Sequence, residues 1–168
     1  FDIAPLMETS TGTRENYSFD VPLIFNDINL SSDTTGKVEI MKIEDGFNIK
    51  ITDIQVDADF YCSKCLKKIK QKIQIGMAER QFLLHKPAVI QDANDLYLVN
   101  RKELSIDLAG FLRQEIILHF PLIPVCSKSC KGLCQVCGKD KNKTACHCRQ
   151  ESIMDEKPLA ILKKLLKK

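Results

Sequence analysis

The sequence predicts an α+β protein with a twisted, mostly antiparallel β-sheet, one core helix, a cysteine-rich module and a terminal amphipathic helix. Three observations lead to this prediction. Apolar and polar residues alternate through much of residues 38–84, residues 107–120 have helical spacing instead, and eight cysteines occur in four close pairs. With 168 residues and 44% hydrophobic content, the chain can bury a sizeable core without disulfides.

The first 60 residues have the alternation of β-strands. An alternating apolar run from Val38 leads to Asp45-Gly46, a dipeptide typical of two-residue hairpin loops. The alternation continues after this turn, but its phase changes near Thr52-Asp53, where Ile51 and Ile54 have opposite parity. An extra residue in one strand produces such a change, so the sequence predicts a β-bulge or strand break there.

A further strand is predicted from about Leu66 to Leu84. One face carries four apolar side chains and the other carries lysines, because successive strand residues point to opposite faces. The apolar set is Ile69, Ile73, Ile75 and Met77, and the lysine set is Lys68, Lys70 and Lys72. Residues 85–95 then read as a loop with Pro87, and residues 96–99 as another short strand.

Two helices are predicted after the strands. Residues 107–120 form the core helix, with Asp107 as its N-cap and Pro121 ending it. Residues 158–168 place five apolar side chains opposite four lysines, which predicts an amphipathic helix packed on the body with a solvated basic face. Contact of that basic face with a membrane surface or with RNA is the alternative.

The cysteine pairs predict metal sites, because two ligands from one tight turn need little extra ordering, whereas disulfide frameworks scatter their cysteines. The sequence CQVCG at residues 134–138 has the form of a zinc knuckle, in which Gly138 can adopt a positive φ. Joined with the CHC pair, it gives a first site of four cysteines. The two predicted four-cysteine sites are Cys134, Cys137, Cys146 and Cys148, and Cys62, Cys65, Cys126 and Cys130.

We therefore expect two structural Zn²⁺ ions per chain. The second site joins cysteine pairs about 60 residues apart and would remove more chain entropy than the local site. A crossed grouping, for example Cys130 with Cys134 and Cys137, stays open, as do an iron–sulfur cluster and redox thiols. His147 is interpreted as an exposed spacer. The predicted domains are an α+β sheet domain at 1–125, a zinc-binding module at 126–150 and a helical tail at 151–168.

No catalytic residues are predicted. Eight thiolates filling two tetrahedral sites leave no open metal position, and no nucleophile–base set or glycine-rich phosphate loop is recognisable. Glu103, Asp107 and Glu115 read as capping and helix-surface residues. We expect that the protein is not an enzyme and that it binds no small-molecule substrate. No apolar run approaches the roughly 18 residues of a membrane span.

The charges suggest a polyanionic partner. Residues 1–60 carry four basic and twelve acidic residues, whereas residues 61–168 carry 21 basic and ten acidic residues. Lysines flank the cysteines and could bind phosphate backbones, or could offset the negative charge of the zinc–thiolate centres. With no Trp, and no aromatic residue between residues 126 and 148, recognition of folded RNA by shape is favoured over base stacking. The lysines are Lys64, Lys67, Lys68, Lys70, Lys72, Lys128, Lys131, Lys139, Lys141 and Lys143.

Several motifs together resemble the YceD family. They are CSKC at residues 62–65 with a basic strand after it, DLAGFLRQEIILHFPLIPVC at residues 107–126, CKGLCQVCGKDKN at residues 130–142, and CHC at residues 146–148. The family's usual arginine before the second cysteine is replaced here by Lys64. Members resembling this one carry the extra CxxC and CxC pairs, which marks the site at residues 134–148 as a separable unit.

This resemblance implies a non-catalytic protein of the bacterial cytoplasm, or of an organellar matrix or stroma, that supports accumulation of large-subunit (23S) ribosomal RNA. The partner implied is that RNA or a pre-ribosomal particle, contacted through the lysines near the zinc sites. The alternative is a protein–protein adaptor that docks a basic ribosomal protein on the acidic N-terminal half, without touching RNA.

Overall fold

The computed structural model describes residues 1–86 and 96–148, which divide into two compact units. Unit 1 comprises Phe1–Phe60 and Lys68–Leu122, and unit 2 comprises Tyr61–Lys67 and the chain from Ile123 onward. The predicted boundaries kept residues 61–67 with the sheet. The structure groups them with the cysteine-rich segment, while the ends of the module and tail at residues 150 and 151 stay predictions.

Unit 1 is built on one sheet with few helices. Its strands lie in the order β1-β2-β3-β4-β5, with the β1–β2 and β2–β3 pairs antiparallel and β4–β5 parallel. This agrees with the predicted α+β class and with a mostly antiparallel sheet, while the predicted terminal helix lies outside the described residues. The elements are α1 Ala4–Met7, β1 Arg14–Val21, β2 Thr34–Ile43, β3 Gly46–Tyr61, β4 Lys68–Leu83, β5 Tyr97–Leu98 and α2 Ala109–Leu118.

The β2–β3 hairpin and its bulge follow the sequence pattern closely. Ile43 pairs with Gly46, so the two-residue loop is Glu44-Asp45, one residue earlier than predicted. The predicted bulge is confirmed, because the pairing register shifts between Thr35 and Lys37 of β2. On β3 the extra residue lies between Thr52 and Gln55. Asp53, in this segment, has a positive φ of 56°, which bends the strand locally as a bulge does.

Gly46 is required by a close backbone approach and not by the turn. A Cβ at this position would lie 2.1 Å from the carbonyl oxygen of Phe82. We expect Gly46→Ala to lower the free energy of unfolding by about 1–3 kcal/mol, the cost of overpacking a core. Gly76→Ala is the matched control, because a Cβ there meets nothing within 4 Å. Equal urea midpoints for the two variants would contradict this explanation.

The inward face of β4 changes parity along the strand. Ile73 and Ile75 are buried as predicted, but Met77 is 58% exposed, and Ala78 and Phe82 are buried instead. The prediction for Met77 was wrong because the alternation slips by one residue after Ile75, which sequence periodicity does not mark. The three lysines at the start of β4 are exposed while Ile73 and Ile75 are buried, so the predicted opposite faces are confirmed for this part of the strand.

Helix α2 packs on the sheet through Phe111, Leu112 and Ile116, all buried. It begins at Ala109 with Leu108 as its N-cap, so the predicted N-cap, Asp107, lies one residue before the observed one. The Asp107 side chain still contributes, because its Oδ1 accepts a hydrogen bond from the Ala109 N–H at 2.9 Å. Among the described residues, no helix is long and apolar enough to cross a membrane.

Glu115 was predicted to lie on the helix surface, and this was wrong. It is 7% exposed, and its Oε1 lies 3.2 Å from Nη2 of Arg80 on β4. The Arg80 guanidinium also sits 5.6 Å from the centre of the Phe111 ring. The change of parity on β4 directs Arg80 toward the helix, so that a carboxylate inside the helix–sheet interface has a partner.

Candidate metal centres

Unit 2 contains two groups of four thiols, and within each group all sulfur atoms lie within 4.8 Å of one another. Site A is Cys62, Cys65, Cys126 and Cys130, and site B is Cys134, Cys137, Cys146 and Cys148. The structure thus brings together the two sets that sequence pairing favoured, and not the crossed set. Metal binding at either group stays a prediction.

Site A has the dimensions of a tetrahedral metal site. The sulfurs of Cys62 and Cys130 lie 3.8 Å apart, and those of Cys65 and Cys126 lie 3.6 Å apart. Four thiolates at about 2.3 Å from a zinc ion would be separated by roughly 3.8 Å, whereas a disulfide needs about 2.05 Å. A four-iron cluster places its own sulfides between the irons and holds the cysteine sulfurs farther apart, so a single ion fits better.

The CSKC turn of site A is closed by two backbone hydrogen bonds. The N–H of Cys62 donates to the carbonyl of Lys67, and the N–H of Leu66 donates to the carbonyl of Cys62, both at 2.9 Å. Leu66 has a φ of 59°, a left-handed conformation that costs a non-glycine residue about 1 kcal/mol. No helix begins here, unlike the CxxC turn of a thioredoxin-like redox site.

The CQVC turn of site B has the same hydrogen bonds. The N–H of Cys134 donates to the carbonyl of Lys139 at 2.8 Å, and the N–H of Gly138 donates to the carbonyl of Cys134 at 2.9 Å. Gly138 has a φ of 70°, so its predicted positive φ is confirmed. The glycine at position 138 indicates a positive φ from the sequence alone. At the equivalent position of site A the residue is Leu66, so its positive φ could not be predicted in this way.

The thiol pKa values are spread apart in both sites. Burial raises the pKa of Cys62, but the backbone N–H groups of Cys126 and Cys65 outweigh it and lower that pKa to about 6. Hydrogen bonds to Cys130 and Cys65 raise the pKa of Cys126 to about 12. Once one thiolate has formed, the others resist ionisation, and a bound cation would remove that resistance.

In site B the thiol pKa values are also spread apart, although its cysteines are less buried than those of site A. The backbone N–H groups of Cys137 and Val136 lower the pKa of Cys134 to about 6. The hydrogen bond with Cys137 raises the pKa of Cys148 to about 11. Cys134 is buried, Cys137 is exposed, and His147 is exposed as predicted. A divalent cation with a preference for four thiolates, as Zn²⁺ has, fits both donor sets.

Gly132 joins the two turns at their backbones. Its φ is 71°, and a Cβ on it would lie 2.9 Å from the carbonyl oxygen of Lys64. That carbonyl accepts from the N–H of Leu133, and the carbonyl of Gly132 accepts from the N–H of Lys141, both at 2.9 Å. The segment that links Cys130 to Cys134 therefore holds the CSKC turn on one side and residues of site B on the other.

The structure distributes the ten predicted lysines over both units. Nine are exposed, and Lys141 is half-buried. Site A brings the lysines of the CSKC turn into the same unit as those of residues 126–148, which makes seven. Those seven are Lys64, Lys67, Lys128, Lys131, Lys139, Lys141 and Lys143, and unit 1 contains Lys68, Lys70 and Lys72.

Asn142 is a residue that sequence reasoning did not single out. Its side-chain nitrogen lies 3.4 Å from the sulfur of Cys130, and its side-chain oxygen accepts from the N–H of Lys131 at 2.8 Å. An aspartate and an asparagine two residues apart, just after the CQVC turn, are typical of a side-chain-stabilised turn. That pattern could have indicated the local turn, but not the contact with Cys130.

Comparisons with known proteins agree with the resemblance. The chain is similar to "Large ribosomal RNA subunit accumulation protein YCED homolog 1, chloroplastic" of Zea mays, 38% identical over 56 residues, or 33% of this chain and 19% of that protein. It is similar to the Arabidopsis thaliana protein of the same name, 34% identical over 47 residues, or 28% and 15%. The matched segments span less than a fifth of these relatives.

No solved structure matches the chain. The model of the YceD family, described as "Large ribosomal RNA subunit accumulation protein YceD", matches residues 52–166. That range covers more than half of the chain and includes all eight cysteines of sites A and B. The chain therefore belongs to the YceD family.

Proposed function

We propose that this protein is a non-catalytic factor that supports the accumulation of large-subunit ribosomal RNA, in a bacterial cytoplasm or an organelle. It binds precursor RNA or an assembling large subunit through a basic surface next to two structural zinc ions. The family name supports the process, and the names of the plant relatives support an organelle as one location. The charge of unit 2 supports direct contact with RNA.

The observation that carries this proposal is the charge of unit 2. Its described residues contain seven lysines and one acidic residue, Asp140, for a formal charge of +6. Two zinc ions, each bound by four thiolates and each centre of about −2, would leave roughly +2. The Asp140 carboxylate already accepts hydrogen bonds from Asn142, which lower its pKa. Compensation of the thiolates therefore does not use up the lysines, and a positive excess is left for phosphates.

The three lysines of β4 differ, because carboxylates lie next to them. Lys68 is paired with Asp59 at 2.8 Å, and the charge of Lys70 also helps to lower the pKa of Asp59. Lys72 lines a hollow of 330 Å³ together with three aspartates, Asp20, Asp33 and Asp57. We therefore propose that the lysines of unit 2 make the phosphate contacts and that those of β4 are compensated within unit 1.

The side chains of unit 2 suit a phosphate backbone more than unstacked bases. Tyr61 is the one Phe, Tyr or Trp side chain within the described residues of this unit. Proteins that bind single strands without sequence preference use several aromatic side chains for stacking. Folded RNA, recognised by its shape and phosphates, is the partner that this composition favours.

Salt dependence tests the proposal. RNA affinity should fall with salt, and changing Lys64, Lys128 and Lys143 to Gln should reduce the slope of log K against log salt by about 2–3, since each phosphate contact contributes about 0.7–0.9. The matched control changes Lys68, Lys70 and Lys72 to Gln and should leave the slope nearly unchanged. A flat salt response of the unsubstituted protein would contradict RNA binding, and equal effects of the two triple variants would contradict the division of the lysines.

The second candidate is a protein–protein adaptor. The observation that favours it is the hollow of unit 1 with three aspartates, within an N-terminal half that carries twelve acidic and four basic residues. An adaptor would hold a basic ribosomal protein there. The triple change in unit 2 should then leave partner binding intact, whereas changing Asp20, Asp33 and Asp57 to Asn should weaken it. If the unit 2 variant lost partner binding and the aspartate variant kept it, the adaptor would be excluded.

A further inference from the structure

Asn142 contacts site A while lying in the chain segment of site B. Its Nδ2 donates to the sulfur of Cys130 at 3.4 Å and to Oδ1 of Asp140 at 2.7 Å. Its Oδ1 accepts from the N–H of Lys131, the residue after Cys130, at 2.8 Å. One side chain thus binds both a ligand sulfur of site A and the backbone next to it.

The position of Asn142 depends on the folding of site B. The residue lies between Cys137 and Cys146, two of the four thiols that site B brings within 4.8 Å of one another. Its own N–H donates to the Asp140 carboxylate at 2.9 Å, and residue 140 forms a β-bridge with Leu133. A metal at site B would close this short loop and hold Asn142 in place.

The contact with Cys130 is of the kind that tunes a metal ligand. A donor to a thiolate stabilises its charge and fixes its orientation, and loss of such a partner typically lowers metal affinity about 10–100-fold. Cys130 is buried, and the two residues after it in the chain make the Lys131 and Gly132 contacts already described. An ordered Asn142 therefore favours the metal-bound arrangement of site A.

We propose that Asn142 is a positioning residue through which metal at site B strengthens metal binding at site A. This inference rests on the proposed zinc sites and goes beyond them, because it makes the two sites one coupled system. Linkage is reciprocal, so metal at site A also strengthens site B by the same factor. Loss of metal from site B then weakens site A and loosens the turn that carries Lys64.

Cobalt binding tests the coupling, because thiolate-bound Co²⁺ has visible absorption. The experiment uses the full chain with Co²⁺ and a competing chelator. In the unsubstituted protein both sites fill together, and Asn142→Ala should weaken site A about tenfold. Gln135→Ala is the control, since Gln135 is exposed on the CQVC turn of site B. It should bind cobalt as the unsubstituted protein does.

A variant without site B shows whether Asn142 acts through it. Changing Cys137 and Cys148 to Ser should weaken cobalt binding at site A about tenfold, and adding Asn142→Ala should then have little further effect. Cadmium NMR of the doubly loaded protein should show a shifted site A signal in Asn142→Ala and an unchanged site B signal. A structural role alone would not shift one signal selectively.

Three results would overturn the inference. Site A could keep its affinity in Asn142→Ala, or keep it when site B is removed, or the two losses could add fully. Any of these leaves the proposed metal sites intact. If neither cobalt nor zinc binds to the unsubstituted protein, the metal sites and the coupling are both rejected, so the two failures are distinguishable.

Discussion

Cys62→Ser is expected to bind one metal ion, at site B, where the unsubstituted protein binds two, and to lose the folded structure around site A. Site A joins two cysteine motifs that are far apart in the chain. The cysteines whose sulfurs are in contact, Cys65 with Cys126 and Cys62 with Cys130, are separated by 61 and 68 residues. Besides Cys62, Cys65 and Cys130 it buries little, with Val125 and Leu133 packed against the thiols. A structural zinc supplies about 10–16 kcal/mol of folding free energy in small domains of this kind.

Metal content and limited proteolysis measure this outcome. The protein should be purified without added metal and the metal counted by mass spectrometry. Cys62→Ser should retain about one equivalent, and cleavage should become fast at residues 61–67 and 123–130, which carry site A, while the sheet of unit 1 resists. Cys148→Ser is the matched control at the end of site B. It should retain site A at lower affinity, with slower cleavage than Cys62→Ser. Two equivalents in Cys62→Ser would refute site A.

Arg80→Ala is expected to lower the free energy of unfolding by about 1–3 kcal/mol, because it leaves the buried Glu115 carboxylate without a partner, while the Arg80 side chain itself is 38% exposed. Glu115 is 7% exposed, and Arg80 is the partner 3.2 Å away. Without the guanidinium, the carboxylate is left uncompensated inside the interface of α2 and β4. The loss of the Arg80 contact with the Phe111 ring adds to the effect.

Urea unfolding of three variants tests whether the burial of the Glu115 carboxylate determines the loss of stability, because Arg80 and Arg113 are exposed to a similar extent. Arg113→Ala removes a surface pair with Asp27, in which the side chains are 40% and 48% exposed, and should leave the urea midpoint nearly unchanged. The double change Arg80→Leu and Glu115→Leu replaces the buried pair with apolar groups and should recover much of the loss. If Arg80→Ala were as mild as Arg113→Ala, the buried pair would not stabilise the helix–sheet interface.

The sequence by itself determined the features that depend on local patterns. Two-residue alternation located the strands, its change of phase located the bulge at Asp53, and the close spacing of the cysteines indicated which thiols belong together. Such features follow from backbone geometry within a few residues, since side chains of a strand alternate and two ligands from one turn share a metal. The glycine after CQVC likewise predicted a local turn, because glycine readily adopts a positive φ.

Tertiary structure decided the features that depend on what lies across the fold. Gly46 is needed because the Phe82 carbonyl approaches it, and Glu115 is buried because a slip in β4 directs Arg80 toward it. Asn142 contacts Cys130, and the backbone at Gly132 bonds to residues of both cysteine turns. These contacts join residues that are distant in the chain or lie on different turns, and no local periodicity encodes them. The sequence thus indicated which thiols lie together, and the packing decided which contacts connect the two groups of thiols.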